Sequence, residues 1–555
     1  MLRLNEVKLP LDHGEDAMRA AILGRLGVGA AELIGHSVVR RGYDARKRSE
    51  IRLVYNLDVA LRDEAAVLAR LNGRGVLPAP DRAYRLPHRA PGDLRLRPVV
   101  IGAGPCGLLA GMILAQMGFR PIILERGPAV RTRTQRTWGL WRRSVLDPEA
   151  NVQFGEGGAG TFSDGKLWSG IGDSENRRRK VLEEFVEAGA PEEILFVSKP
   201  HIGTFRLVSM VEHMRRKVEA LGGEYRFDTR VTDILLDEAP GGDRGGSPGG
   251  DRVVRGVVLA GGETIRTDAV VLAVGHSARD SFAMLHDRGV AMHAKPFSIG
   301  VRIEHPQGLI DRCRFGEAAG HPMLGAADYK LVHHCQGPGL ADRSVYSFCM
   351  CPGGTVVAAA SEPGRLVTNG MSQYSRAERN ANAGIVVDIS PERDFPGGAL
   401  AGIALQRHWE ERAFVAGGGD YRAPAQRVGD FLAGRPSTAL GDVVPSYKPG
   451  VRPTDLALCL PDFVVGAIRE ALPAFDRQIR GFAMADAVMT GVETRTSSPV
   501  RIPRDAALQS PNTRGLFPAG EGAGFAGGIL SAGVDGIRVA EAVAAALVQA
   551  VPAAA

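Results

Sequence analysis

The chain is poor in the features that would mark export, a membrane or a stapled fold. Its 555 residues include six cysteines, with no CxxC pair among them. That excludes a disulfide framework and a cysteine-spaced zinc site, and it suits a reducing compartment. No metal is expected. The first residues, "MLRLNEVKLPLDHGEDAMRA", carry acids where a signal peptide would have its apolar core, so the expected location is the cytoplasm. There is no solenoid repeat, no GxSxG elbow between a strand and a helix, no HExxH helix and no Walker loop. One stretch, "VVIGAGPCGLLAGMILAQMGFRPIILE" (99–125), is long and apolar enough to raise a membrane span. Gly102, Gly104, Pro105 and Glu125 interrupt it, and no span is expected.

What is present is ordinary in bulk and unusual in arrangement. Hydrophobic residues make up 44% of the chain and charged residues 23%, as in a soluble globular protein. The 71 glycines gather in short motifs. The net charge of +6 comes wholly from residues 1–98, which hold 18 Lys and Arg against 12 Asp and Glu. Within them "RRGYDARKR" sets Arg40, Arg41, Arg46, Lys47 and Arg48 around Tyr43. Residues 1–90 alternate strand-like and amphipathic segments, roughly βαβ(β)βα, which suggests a small ferredoxin-like module. The segment 77–98 carries five prolines without periodicity and reads as a linker, its last part 91–97 leading into the next domain.

The interrupted stretch has the form strand, Gly-rich turn, helix, strand. Gly102 permits the tight turn, Gly104 lets the backbone approach a pyrophosphate, and Gly107 and Gly111 let the helix lie close on the sheet. Glu125 follows 23 residues after Gly102, at the tip of the next strand, where it can take ribose hydroxyls. This is a dinucleotide site.

Distant motifs choose the nucleotide. A second glycine cluster, "NVQFGEGGAGTFSDGKLWSG" (151–170), follows the first unit; "VVLAVGHSARDSF" (270–282) ends a strand at Gly275; "GLFPAGEGAGFAGGILSAGVDGIRVAEAV" (515–543) is a third strand-turn-helix. The triple arrangement is similar to that of two-dinucleotide-fold flavoproteins. The resemblance implies that Gly520 and Glu521 contact the ribityl chain and pyrophosphate. It also implies that a helix starting near Gly527 and Gly528 points its N-terminus at the flavin ring. More closely, the chain resembles a bacterial family of uncharacterised FAD-dependent dehydrogenases. The match is carried by "DARKRSEIRLVYNLDV" (44–59), "FGEGGAGTFSDGKL" (154–167), "KPHIGT" (199–204), "FCMCPGGTVVAAASEPGRLVTNGMSQYSR" (348–376), "ETRTSSPVRIPRD" (493–505) and "PAGEGAGFAGGILSAGVDG" (518–536). It implies FAD and an oxidoreductase, with Gly102, Gly104, Gly107, Glu125, Arg126, Gly157, Gly158, Lys166, Gly275, Gly520, Glu521, Gly527 and Gly528 at the cofactor.

The expected fold class is α/β: a Rossmann-like FAD-binding domain (98–278 and 496–555), an inserted mixed α+β substrate domain (279–495) and the N-terminal module. The insert "EAPGGDRGGSPGGD" (238–251) reads as a hairpin tip. For chemistry, Cys349 and Cys351 alternate on a strand and would face one side, as candidates to exchange electrons with a nearby flavin or, for one of them, to attack a substrate; the alternative is a pair of core residues, since same-face strand neighbours fit disulfide geometry poorly. Glu493 is a candidate acid or base, and Arg495 a bidentate clamp for a substrate carboxylate or phosphate; the alternative is an ion pair between the two. Asn369, Tyr374 and Arg376 are further pocket candidates, and His276 follows a strand tip. Adjacent His333 and His334 point to opposite strand faces and share no metal.

The leading expectation is an FAD-dependent oxidoreductase acting through flavin N5 on a small-molecule substrate. Its electrons come from that substrate, from NAD(P)H visiting the same pocket or from a protein donor, since no second strand–GxGxxG–helix unit is present. The alternative is a flavin-dependent RNA-modifying or RNA-bound protein, with Tyr43 stacking bases. A third is a non-catalytic flavin scaffold.

Overall fold

The computed structural model describes residues 1–72, 75–238 and 252–549. The Gly/Asp-rich insert, at 239–251, lies outside them; its flanking strands Val231–Glu238 and Arg252–Leu259 pair antiparallel.

The N-terminal sheet is antiparallel, in the order Leu33–Asp44, Arg52–Leu61, Leu2–Pro10, Val76–Pro78. With helices Glu15–Leu26 and Glu64–Leu71 this is the ferredoxin-like double βαβ. Alternation drives it on either side of a bulge at Glu6, with Leu2, Leu4, Val7 and Leu9 buried against Ile22 and Leu26. Asp63 caps the second helix by accepting from Ala66 N–H at 2.9 Å. The module docks through one parallel bridge: Arg41 N–H donates to Phe196 O at 2.7 Å, and Ser198 N–H to Arg41 O at 2.8 Å. Tyr43 meets Phe315 edge-on at 5.5 Å, and Ile51 is buried with Ile310 and Phe315.

The 99–125 stretch resolves into strand Val99–Ile101, helix Pro105–Gln116 and strand Ile122–Leu124. Among the described residues no helix is long and apolar enough to cross a membrane. Five short parallel strands form the central sheet, in the order Leu516–Pro518, Val270–Leu272, Val99–Ile101, Ile122–Leu124, Glu224–Arg226. All but Glu224–Arg226 are buried on both faces, which is why they read as unbroken apolar triplets rather than as alternation. The strand from the far C-terminus completes the sheet. Helix Ile529–Gln549 then packs across helix Pro105–Gln116, where a Cβ on Gly536 would collide with Cys106 O.

Between these halves stands an eight-stranded sheet, mainly antiparallel, around strands Phe297–Pro306, Ser344–Ala358, Asn380–Ile389 and Val488–Glu493. Helices Ala401–Gly417 and Asp462–Gln478 cover it. Strand Ser344–Ala358 runs in one direction throughout but is broken in register against Asn380–Ile389. The proline-rich segment has no regular structure from 79 to 98, yet it is fastened down. Tyr84 Oη donates to Glu541 at 2.9 Å and Ala90 N–H to Met117 O at 2.8 Å.

Candidate functional site

A cavity of about 550 Å³ opens at the carboxyl ends of the parallel strands. One end of its wall is backbone. Gly102 turns the chain from strand to helix at φ +101°, where a side chain is strained. A Cβ there would collide with Ala273 O, and one at Gly107 with Gly102 O. Gly104 differs: its Cβ would meet only Gly158 Cα, at 3.7 Å. Gly104 therefore faces the open cavity, and the second glycine cluster lies directly beside the first. Helix Pro105–Gln116 begins here with Gly104 as N-cap, bringing a positive dipole end to the wall.

Arg133, which no spacing singled out, holds the second cluster in place. Fully buried on helix Val130–Arg143, its guanidinium donates to the carbonyls of Asn151, Val152, Glu156 and Gly158 at 2.7–3.0 Å. Burial lowers its pKa to about 10 against the pull of Glu125 and Glu156. Glu125 accepts from the N–H groups of Ala103, Gly127 and Gly155 at 2.9–3.0 Å. A carboxylate has about four acceptor positions, so one is left for a ribose hydroxyl. Across the cavity, Glu521 accepts from Ser498 N–H at 3.0 Å, and burial pushes its carboxyl up to about 7 despite that bond and Lys295. Gly520 N–H donates to Asp535 at 2.8 Å. Gly275, Gly527 and Gly528 line the cavity, and helix Ile529–Gln549 starts one residue later. Arg126 lines it too but is tied to Glu149 and Asp280 at 2.7 and 2.8 Å, over the Phe154 ring. Gly107 and Gly157 lie behind the wall.

The other end is made of side chains. Lys166 Nζ lies 3.1 Å from Asp164 and donates to Met350 O. Burial works to raise Asp164, but Lys166 and Arg376, which forks its carboxylate, hold it down to about 2. Cys349, Asn369, Phe348 and the exposed Trp168 complete this end. Beyond the Asp164–Arg376 pair lies a second cavity of about 690 Å³, roofed by the N-terminal module and lined by Arg40, Arg41, Tyr43, His201, Tyr374 and Arg376. Tyr43 is packed on Phe315, so it is no free platform for a base.

Several expectations need correction. Cys349 and Cys351 do not share one face of a regular strand: the register against Asn380–Ile389 slips between Phe348 and Cys351, with Cys349 at φ +40°. Cys349 lines the cavity and Cys351 is wholly buried. Glu493 and Arg495 are not paired with each other, nor is either poised for substrate. Glu493 takes a bidentate bond from buried Arg302 at 2.6 and 2.7 Å. Arg495, though on the cavity wall, forks Glu410 at 3.0 Å and donates to Ser277 and Ser361. Arg279 shares Glu410, and this network joins the sheet domain to the cofactor domain. Burial raises Glu410, but the two guanidiniums outweigh it and keep it ionised. His276 is no free surface histidine: burial with Arg495 and Arg279 lowers it to about 3, so it stays neutral. His333 and His334 do diverge, to Glu470 and Ser344. His333, Cys335 and Glu470 offer ligand-type atoms within 4.8 Å of one another, and Glu470 already accepts from His333 and from Gln336 and Gly337 N–H.

The cradle of backbone N–H groups, the spare acceptor on Glu125 and the clear space over Gly104 fit a dinucleotide lying along the cavity, its far end beside Lys166 and Cys349. Fold and site together define a flavoprotein of the dinucleotide-binding kind. Residues 296–496 match the C-terminal domain of FAD-dependent proteins, and residues 1–60 match a domain of unknown function. An uncharacterised protein of Clostridium beijerinckii is 45% identical over 541 residues, 97% of this chain and 98% of its own. The chain belongs to this uncharacterised FAD-dependent family, and FAD is its cofactor. Looser likeness, in structure only, extends to glycine oxidase from Geobacillus kaustophilus (12% identity, 81% of this chain and 94% of that one, TM-score 0.30). The same holds for the halogenase PltM with phloroglucinol and FAD (12%, 82% and 70%, TM-score 0.35).

Proposed function

We propose that the protein is an FAD-dependent oxidoreductase acting on a small molecule at the side-chain end of the cavity. The observation that carries this reading is continuity: the dinucleotide cradle and the Lys166–Cys349–Asn369 cluster line one space. FAD, when bound, supplies hydride or electron exchange at N5 of its ring. The chain's own residues do the rest. Lys166 presents a proton at Nζ, kept on the ammonium by the Asp164 carboxylate 3.1 Å away against the burial that would strip it. Asp164 fixes that ammonium, and Arg376 fixes Asp164. Trp168 and Phe348 offer ring faces at the mouth.

The electron source is NAD(P)H, a protein donor or the substrate itself. All six cysteines are free, as in a protein of the cytoplasm, where we place it. Anaerobic titration with NADPH and NADH, followed by flavin absorbance, tests the reading. Bleaching by one nicotinamide makes the protein a reductase; persistent yellow colour directs the search to dehydrogenase substrates and protein donors. A pure protein that neither carries nor takes up FAD refutes the assignment.

A further inference from the structure

The strand Ser344–Ala358 loses regularity where it passes the flavin site. Its register against Asn380–Ile389 slips between Phe348 and Cys351 and again between Cys351 and Gly354. Cys349 sits at φ +40°, a conformation that a side chain adopts only when its surroundings impose it. In a regular strand, residues two apart are too far from each other for the Cβ spacing of a disulfide, about 3.5–4.5 Å. The two register slips and the positive φ take this segment out of that regular spacing. Cys351 Sγ donates to the Cys349 carbonyl oxygen at 3.4 Å, which holds the second cysteine against the first.

The two sulfurs differ in what reaches them. Cys349 opens on the cavity, while Cys351 has no exposed surface. Two cations clamp the segment: Arg302 donates to Cys349 O at 2.8 Å, and Lys166 to Met350 O. The Cys351 hydrogen bond, with Lys166 and Arg302 against the cost of burial, holds the Cys349 thiol well below its ordinary range. Cys351 is pushed the opposite way by Cys349 and by burial. An accessible thiolate beside a buried thiol is the division of labour of an attacking and a resolving cysteine.

We propose that Cys349 and Cys351 are a redox pair that exchanges two electrons with the flavin, a role that rests on the flavin site assigned above. In the oxidising direction both S–H bonds break and one Sγ–Sγ bond forms. Two electrons and two protons pass to FAD, giving FADH₂; the reverse step opens the disulfide to two thiols. Cys349 is the sulfur facing flavin and substrate. Cys351, shielded behind it, closes the bond. Thiols and disulfides small enough to enter past Trp168 are therefore the substrate class of this site.

The test is an electron count on the holoprotein. The protein is oxidised with ferricyanide, desalted and titrated anaerobically with dithionite. Four electrons per FAD are expected for wild type, and two for Cys349→Ser and Cys351→Ser. In parallel, iodoacetamide is applied at pH 6 to the reduced apoprotein, and the peptide spanning 348–351 is weighed. One alkyl group, on Cys349, is expected, and none after ferricyanide. A yellow wild-type protein that takes two electrons and keeps both thiols after ferricyanide overturns the pair but leaves the flavin reading intact. A protein without flavin absorbance overturns that reading and, with it, electron exchange between the pair and FAD.

Discussion

The two ends of one cavity are built by different means. One end is backbone: Gly102, Gly104 and Gly158 bring main chain to its wall, Arg133 grips four carbonyls and Glu125 gathers three N–H groups. The other end is side chain: Lys166, Asp164, Cys349, Asn369 and Arg376 arrive from two segments far apart in sequence, held by Arg302 and Glu493 from two others. A backbone wall tolerates change only where a Cβ has room. A side-chain wall depends on every buried charge keeping its partner. The two ends should therefore fail in different ways.

The largest difference is expected at the Arg302–Glu493 pair. Glu493→Gln leaves a guanidinium with no exposed surface facing a neutral amide, while Asn369 and Asn382 supply only weaker acceptors at 3.2 Å. Breaking a buried pair from one side costs about 3–5 kcal/mol. Urea denaturation should show a loss of that size, whereas the double replacement Arg302→Met with Glu493→Leu should recover most of it. Equal losses in the single and the double variant would mean that packing, not the charge, decides this end.

A smaller effect is expected at the glycines, and it separates folding from binding. Gly107→Ala drives a Cβ into Gly102 O and should destabilise the fold by at least ~2 kcal/mol. Gly104→Ala meets nothing nearer than 3.7 Å and should leave stability unchanged while weakening FAD at least tenfold, since the methyl fills the space of the pyrophosphate. Fluorescence titration of apoprotein with FAD measures both affinities. Unchanged affinity in Gly104→Ala would remove the pyrophosphate from this wall.

The same contrast explains what could be read from residues alone. The backbone end was legible, because a turn at φ +101° and a helix resting on a carbonyl demand glycine at set spacings. The module at 1–90 was legible too, since its strands and helices turn apolar residues onto one core even where a bulge breaks the period between Leu4 and Val7. Arg133 was hidden: an arginine in "VRTRTQRTWGLWRR" looks like a solvated helix face, and only the loop folded over it makes it central. Glu493 and Arg495 showed that they matter but not to whom, because Arg302 lies 191 residues away and Glu410 lies 85. A bulge also has no spacing signature, so Cys349 and Cys351 read as one face of a regular strand.

Glu521 belongs to both ends, a side chain carried on the glycine wall, and it gives the smallest and most specific effect. Burial raises its carboxyl from an ordinary 4.5 to about 7 in the folded protein. The unfolded chain therefore releases that proton first. Folding is not penalised below pH 4.5, and the penalty grows as pH rises towards 7 and stays full above it. For a group that faces a solvent-filled cavity, the loss in the apoprotein should be about 2 kcal/mol. Glu521→Gln should flatten this slope between pH 5 and 7. Bound FAD should flatten it as well, because a ribityl hydroxyl donating to the carboxylate favours the charged form and returns the pKa towards 4.5. A slope that survives in Glu521→Gln would assign the titration to another group, and one that survives FAD but not the substitution would place Glu521 away from the ribityl chain.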